Sequence, residues 1–288
     1  MTKIPFSLRF ILLFLPMLLL GSCSLFEPPA DIPSYIHIDS IGLTTDSSKE
    51  GSNSHKIKDA WVYVDGKIQG VYQLPCTFPV LATGSHQIDV KAGIFINGIS
   101  SSRGSYPFYQ FYSTLANLSP KTTTTIKPVV SYYSGSHFIW LENFEGTGMS
   151  MQIAPGSTDS IRKDSINGFE KQYAYAIMNT TTPYFECESI YNFALPTNGN
   201  SVYLEMNYKG TNTIRVGVIP HMTGVIMGED TVLEVRPSST WNKIYVDLTS
   251  VCASYPNAYG FNIFIAAYLE DGLTSSEIYF DNLKLIYQ

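Results

Sequence analysis

Apolar and polar residues alternate with a period of two over most of this chain, the spacing that turns one face of a β-strand toward a core and the other toward water. In the first half Ala60, Val62 and Val64 alternate with Trp61 and Tyr63 and run into Asp65-Gly66, the dipeptide of a two-residue hairpin turn. Ile68 to Tyr72 then read as the return strand, and His86, Ile88 and Val90 alternate with Gln87, Asp89 and Lys91. The second half is cleaner. Val202, Leu204 and Met206 alternate with Tyr203, Glu205 and Asn207; Ile214, Val216 and Val218 with Arg215 and Gly217; Ile244, Val246 and Leu248 follow Trp241 in the same way. Residues Asn262 to Tyr268 are apolar at nearly every position, which predicts a strand covered on both faces. Near the C-terminus Ile278 and Phe280 keep one phase and Leu283, Leu285 and Tyr287 the other, so a β-bulge is expected at Asp281-Asn282. No stretch holds a helical period. The fold class that follows is all-β, in two units over 34–133 and 137–288 divided at Ser134-Gly135-Ser136, with few contacts expected across the division.

The N-terminus is patterned differently. Lys3 and Arg9 are the only charges before a run of about 11 apolar residues, Phe10 to Leu20, too short for the ~20 that span a bilayer core. Leu20-Gly21-Ser22 leads directly into Cys23. Together these features resemble a bacterial lipoprotein signal peptide. The resemblance implies that 1–22 are removed, that Cys23 is the lipidation site through its thiol and its new amine, and that the partner is a membrane entered by acyl chains. Two or three such chains hold effectively permanently. Ser24, where an Asp would favour inner-membrane retention, points to the outer membrane, with the leaflet open. Residues 23–33 are Pro-rich and read as an extended tether of roughly 30 Å.

Composition narrows the classes of partner. The chain has 288 residues and a net charge of -6, and loss of Lys3 and Arg9 makes it more acidic, so nucleic acid is excluded. Beyond Cys23 three cysteines remain, which permits at most one bridge. Cys187 and Cys252 are the disulfide candidate, with two buried thiols as the alternative.

Two further resemblances set the architecture. The run AWVYVDGKIQGVYQLPCTFPVLATGSHQIDV, on Ala60, Val64-Asp65-Gly66, Gly70, Pro79, Leu81, Gly84 and His86, resembles the PEGA-type, Ig-like β-sandwich module of cell-envelope proteins. The aromatic extension after it, Tyr106, Phe108, Tyr109, Phe111 and Tyr112, is expected to add strands. The segments LENFEG, TWNKIYVDL and IYFDNLKLIY resemble the opening, middle and closing strands of jelly-roll domains of the galactose-binding or carbohydrate-binding-module type. This resemblance implies a C-terminal jelly-roll whose partner is a carbohydrate or an envelope protein.

The candidate chemistry is that of binding. There is no Gly-x-Ser-x-Gly elbow or phosphate-cradling glycine loop, and His37, His55, His86, His137 and His221 lie far apart. No catalytic residue is assigned and no enzyme expected. Glu186 and Glu188 share one strand face and read as solvated. Exposed rings are the common means of holding sugars, which makes Trp140, Tyr203, Tyr208 and Trp241 the ligand-binding candidates. No cofactor is expected beyond a structural Ca²⁺ at Glu145 and Asp281, if the first and last jelly-roll strands are neighbours. Asp39-Ser40-Ile41, Asp159-Ser160-Ile161, Asp164-Ser165-Ile166 and Asp230-Thr231-Val232 are similar to the O-glycosylation acceptor pattern of exported Bacteroidota proteins. The expected function is a lipid-anchored, non-catalytic envelope protein whose jelly-roll recognises a carbohydrate or other envelope ligand. A structural role in an outer-membrane complex is the alternative.

Overall fold

The computed structural model describes residues 31–224 and 228–288. The signal segment, Cys23 and the tether up to Ala30 lie outside the described residues.

The protein is an all-β chain. Its N-terminal unit contains β1 (Ser34–Ile38), β2 (Gly42–Leu43), β3 (Asp59–Val64), β4 (Lys67–Gln73), β5 (Cys76–Val80), β6 (Gly84–Phe95), β7 (Arg103–Ser105), β8 (Tyr112–Leu118), β9 (Thr123–Thr125) and β10 (Val129–Val130). β4, β3 and β6 form one sheet, with β7 and β8 both on β6; the smaller ladders β5-β1-β9 and β10-β2 lie against it. Ile36, Val62, Ile88, Val90 and Leu118 fill the space between. The β3–β4 hairpin turns on Asp65 (φ 48°) and Gly66 (φ 75°), a left-handed pair that an Asp-Gly dipeptide adopts at low steric cost.

The C-terminal unit contains β11 (His137–Glu142), β12 (Met151–Ile153), β13 (Arg162–Asp164), β14 (Tyr173–Asn179), β15 (Tyr184–Ser189), β16 (Val202–Gly210), β17 (Ile214–His221), β18 (Asp230–Val235), β19 (Ser238–Asp247), β20 (Gly260–Tyr268) and β21 (Ser275–Tyr287). A six-stranded sheet runs β13-β14-β21-β16-β19. The long β21 pairs β14 along its first half and β11 along its second. A five-stranded sheet, β12-β15-β20-β17-β18, packs against it. Every apolar phase read from the alternation reaches the shared core, from Val202, Leu204 and Met206 to Ile278, Phe280, Leu283 and Leu285. The bulge also falls where the phase slips: Glu205 pairs Lys284 and Asn207 pairs Asp281, so Asn282 and Leu283 together oppose Met206.

The division between the units is not sparse in contacts, contrary to the sequence expectation. Tyr203, Tyr245 and Ile286 project from the outer face of the six-stranded sheet into the core of the N-terminal unit. The aromatic extension adds little strand; Tyr106, Phe108 and Tyr109 are buried as a plug, with Tyr106 packing on Tyr203 and Tyr245 at centroid distances of 5.4 and 4.9 Å. At the centre sits Glu205, fully buried. Its Oε1 accepts from the Tyr106 and Tyr132 hydroxyls at 2.8 Å each, and its Oε2 lies 3.0 Å from Lys243 Nζ. Burial would raise this carboxyl, but Lys243, Lys284 and Tyr132 hold it below the ordinary carboxylate range. Lys56 to Asn242, Asn207 to Ser54 and the Asp247 amide to Asn97 close the rim.

Candidate functional site

The N-terminal unit covers part of one outer face of the jelly-roll and leaves the outer face of the five-stranded sheet free of its contacts. The alternation decides what stands there. Because Phe185 and Cys187 enter the core, Tyr184, Glu186 and Glu188 of β15 face outward; the same logic brings out Phe264, Ala266 and Tyr268 on β20, and Arg215 and Gly217 on β17. Register aligns them in rows. Tyr184 is opposite Tyr268; Glu186, Ala266 and Arg215 form the next row; Glu188, Phe264 and Gly217 the one after.

Ala266, fully buried, is thus the small residue between a carboxyl and a guanidinium. On one side the Tyr184 and Tyr268 rings stack at 4.2 Å and 20°, with Tyr268 55% exposed. On the other side the buried Phe264 ring lies over Gly217, where a Cβ would fall 2.7 Å from Phe264 Cε1 and 2.1 Å from Asp230 O, so only glycine lets these strands approach. Arg215 is 5.8 Å from both the Phe264 and Tyr268 ring centroids and donates to Glu229 Oε2 at 3.1 Å and Thr231 Oγ1 at 2.9 Å. Gln152 Nε2 donates to Glu188 Oε1 at 2.9 Å.

Glu186 is not the solvated residue expected of it: it is 3% exposed and accepts a hydrogen bond from the Tyr184 hydroxyl. Burial, with the neighbouring Glu229 carboxylate, pushes its carboxyl up to about 7, which favours the protonated form more than in an ordinary carboxylate. A carboxyl in that state both donates to and accepts from hydroxyl groups.

The residues singled out from sequence fall elsewhere. Trp140, 5% exposed, donates Nε1–H to Ser150 Oγ at 2.8 Å inside the core; Tyr208 is 7% exposed in the same core; Tyr203 lies in the interface between the units. These three rings have no face for a ligand: Trp140 and Tyr208 point into the jelly-roll core and Tyr203 into the core of the N-terminal unit. Trp241 alone reaches solvent, on the six-stranded sheet. Cys187 and Cys252 are buried free thiols, both raised by burial, Cys252 to about 12, so the disulfide alternative gives way to two core thiols.

The calcium expectation meets a donor set that does not fit. Among the described residues no three His, Cys, Asp or Glu side chains converge on one point. Glu145 Oε1 accepts the Gln172 amide at 2.9 Å. Asp281, 1% exposed, takes the Asn282 amide on Oδ1 at 2.7 Å and has no partner on Oδ2. The carbonyls of the loop bearing Glu145, at Phe144, Gly146 and Gly148, all accept from Lys163 Nζ, an ammonium where a cation's oxygen cage would form.

No family model and no curated protein matches the sequence. Among solved structures the chain is similar to the C-terminal family 22 carbohydrate-binding module of a Clostridium thermocellum xylanase, at 13% identity over 51% of this chain and 92% of the other, with a TM-score of 0.37. It is similar to the family 11 carbohydrate-binding module of a Clostridium thermocellum cellulosomal cellulase at 14% identity, over 54% and 96%, TM-score 0.37. A carbohydrate-binding module of the β-sandwich superfamily aligns over 90% of this chain and 99% of its own at 12% identity, TM-score 0.39.

Sequence reasoning missed Tyr184, Tyr268 and Arg215. The signal was present only in part: Arg215 stands in the outward phase read for its strand, Tyr184 precedes the two glutamates read as one strand face, and Tyr268 ends a run read as covered on both faces. Their convergence depends on the β15–β20–β17 pairing, which no local pattern states.

Proposed function

We propose that the jelly-roll binds a neutral carbohydrate on the outer face of the five-stranded sheet, and that the whole is a lipid-anchored, non-catalytic envelope protein. The observation that carries the reading is the Tyr184–Tyr268 stack, open to solvent at Tyr268, with Arg215 5.8 Å from the Tyr268 ring centroid; Glu186 and Ala266 in the next row are themselves covered. A sugar laid against the stack would meet ring surface, with the Arg215 guanidinium beside it as a hydrogen-bond donor. Cys23 supports the anchoring half through its place after Leu20-Gly21-Ser22.

Tyr268→Ala should weaken binding of a neutral β-linked hexasaccharide several-fold, about 1 kcal/mol for one stacked ring, while leaving the melting temperature close to the parent's because the ring is exposed. Arg215→Ala should weaken it further. Isothermal titration of the full chain against a panel of neutral hexasaccharides decides the matter: no binding at millimolar sugar, or equal affinity in Tyr268→Ala, removes the reading. Cys23→Ala should release the protein from the membrane fraction without detergent; a Cys23→Ala chain, cleaved as the parent is, that still needs detergent contradicts the anchor. The assembly role keeps one observation of its own. Ile68, Val71, Phe111 and Leu115 are exposed on the N-terminal unit, an apolar surface suited to a protein partner.

A further inference from the structure

The half of the six-stranded sheet that the N-terminal unit leaves open carries a second arrangement. Lys209 is opposite Tyr279, Tyr279 opposite Tyr175, and Tyr175 opposite Arg162, one residue per strand from β16 through β21 and β14 to β13. Lys209 Nζ lies 4.4 Å from the Tyr279 ring centroid and 5.3 Å from that of Trp241 on β19. Its ammonium is therefore held by two rings. The rings are fixed by the chain itself. Trp241 Nε1–H donates to Asn167 O at 3.1 Å, and Tyr173 and Phe169 meet the indole edge-on at 5.6 and 6.0 Å.

The other charges on this face already have partners. Arg162 is bound to Asp159 at 2.6 Å. Asp164 caps the amides of Ser165 and Ile166, and Glu277 accepts from the Tyr279 hydroxyl. Lys209 forms no ion pair among the described residues. Phe169 and Ile177, 37% and 36% exposed, extend the apolar border. Lys209, Tyr279 and Tyr175 stand on interior strands, so a peptide finds no free strand edge there to extend.

We propose that this face is a second ligand site, for a saccharide bearing a carboxylate, with the carboxylate on Lys209 and the sugar ring against Trp241. A uronate meets both demands of the site: one negative charge for an ammonium that lacks a counter-ion, and an apolar ring face for an indole held in place. The site stands independently of the one on the five-stranded sheet, whose rows lie across the core from it.

The test uses the full chain titrated with tetragalacturonate, followed by tryptophan fluorescence and calorimetry. The expected result is saturable binding that changes the fluorescence, weakens with added salt, and exceeds binding of the uncharged tetrasaccharide by about ten-fold or more. Lys209→Met, which keeps the stem over the rings and removes the charge, should lose that preference. Trp241→Phe should lose the fluorescence response, and Tyr268→Ala, on the other sheet, should change neither. No response at about 10 mM tetragalacturonate, or equal affinity for the charged and neutral sugars, overturns the proposal without reference to any variant. Loss of uronate binding in Tyr268→Ala overturns it too, by placing the sugar on the five-stranded sheet and not here.

Discussion

Two buried carboxyl groups pull the stability of this protein in opposite directions as pH changes. Asp281 is pushed up to about 7, first by burial and then by the nearby Glu170 and Glu145, so the folded state holds its proton more tightly than the unfolded chain does. Its contribution is fully favourable below about pH 4 and is lost as pH rises through 7. Glu205 is held below its ordinary range, so its contribution is present above about pH 4 and is lost on further acidification. Asp281→Asn keeps an oxygen for the Asn282 amide and removes the charge. It should stabilise the protein at pH 8 by one to a few kcal/mol, with roughly 4 as the ceiling for three pKa units, and should flatten the profile between about pH 4 and 7. Denaturant unfolding of both chains at pH 5 and pH 8 checks this; a variant no more stable than its parent at pH 8 contradicts it.

At the scale of elements, what could be read in the sequence was what the local period determines. The Asp65-Gly66 hairpin, the doubly covered β20 and the bulge on β21 are all set within ten or so residues, and all three appear where the pattern puts them. Strand β16 shows where the pattern stops. Its inward phase, Val202, Leu204 and Met206, is core as read, and Tyr208, expected as a ligand contact, joins it there. Its outward phase, Tyr203, Glu205 and Asn207, is as polar as a solvated face and is nevertheless buried, because Tyr106, Tyr132 and Ser54 from the other unit cover it. An aromatic on an outward phase can therefore be a ligand contact, as we propose for Trp241, or an interface residue, as Tyr203 is. Alternation alone does not separate them. The candidate site was illegible for the same reason, since Tyr184 and Tyr268 become neighbours only through a pairing of distant strands.

For the whole molecule, the consequence is a shared fate of the two units. If the units parted, Glu205 would lose the Tyr106 and Tyr132 hydroxyls, Lys284 would lose the Ser52 carbonyl and the Tyr132 hydroxyl, and Tyr203, Tyr245 and Ile286 would be bared to water. The described chain should melt in one transition, with calorimetric and van't Hoff enthalpies in agreement. Residues 137–288 alone should be markedly less stable than the same residues in the full chain. Two separate transitions in a calorimeter, or a C-terminal fragment as stable as the parent, would show the interface to be energetically idle. The two proposed ligand faces lie on opposite sheets of the one jelly-roll core, so that core by itself holds them at a fixed spacing.

Lys163 has a consequence of a different kind. A bound ion occupies its cage only as often as its concentration outside allows, and a chelator can empty it. The ammonium that gathers the carbonyls of Phe144, Gly146 and Gly148 is tied to its own cage by one side chain, at an effective concentration that dilution does not change. This corner of the fold thus gathers its carbonyls with a cation of its own. Its vulnerability is chemical: acetylation of that one amine would withdraw the charge and leave three carbonyls facing one another.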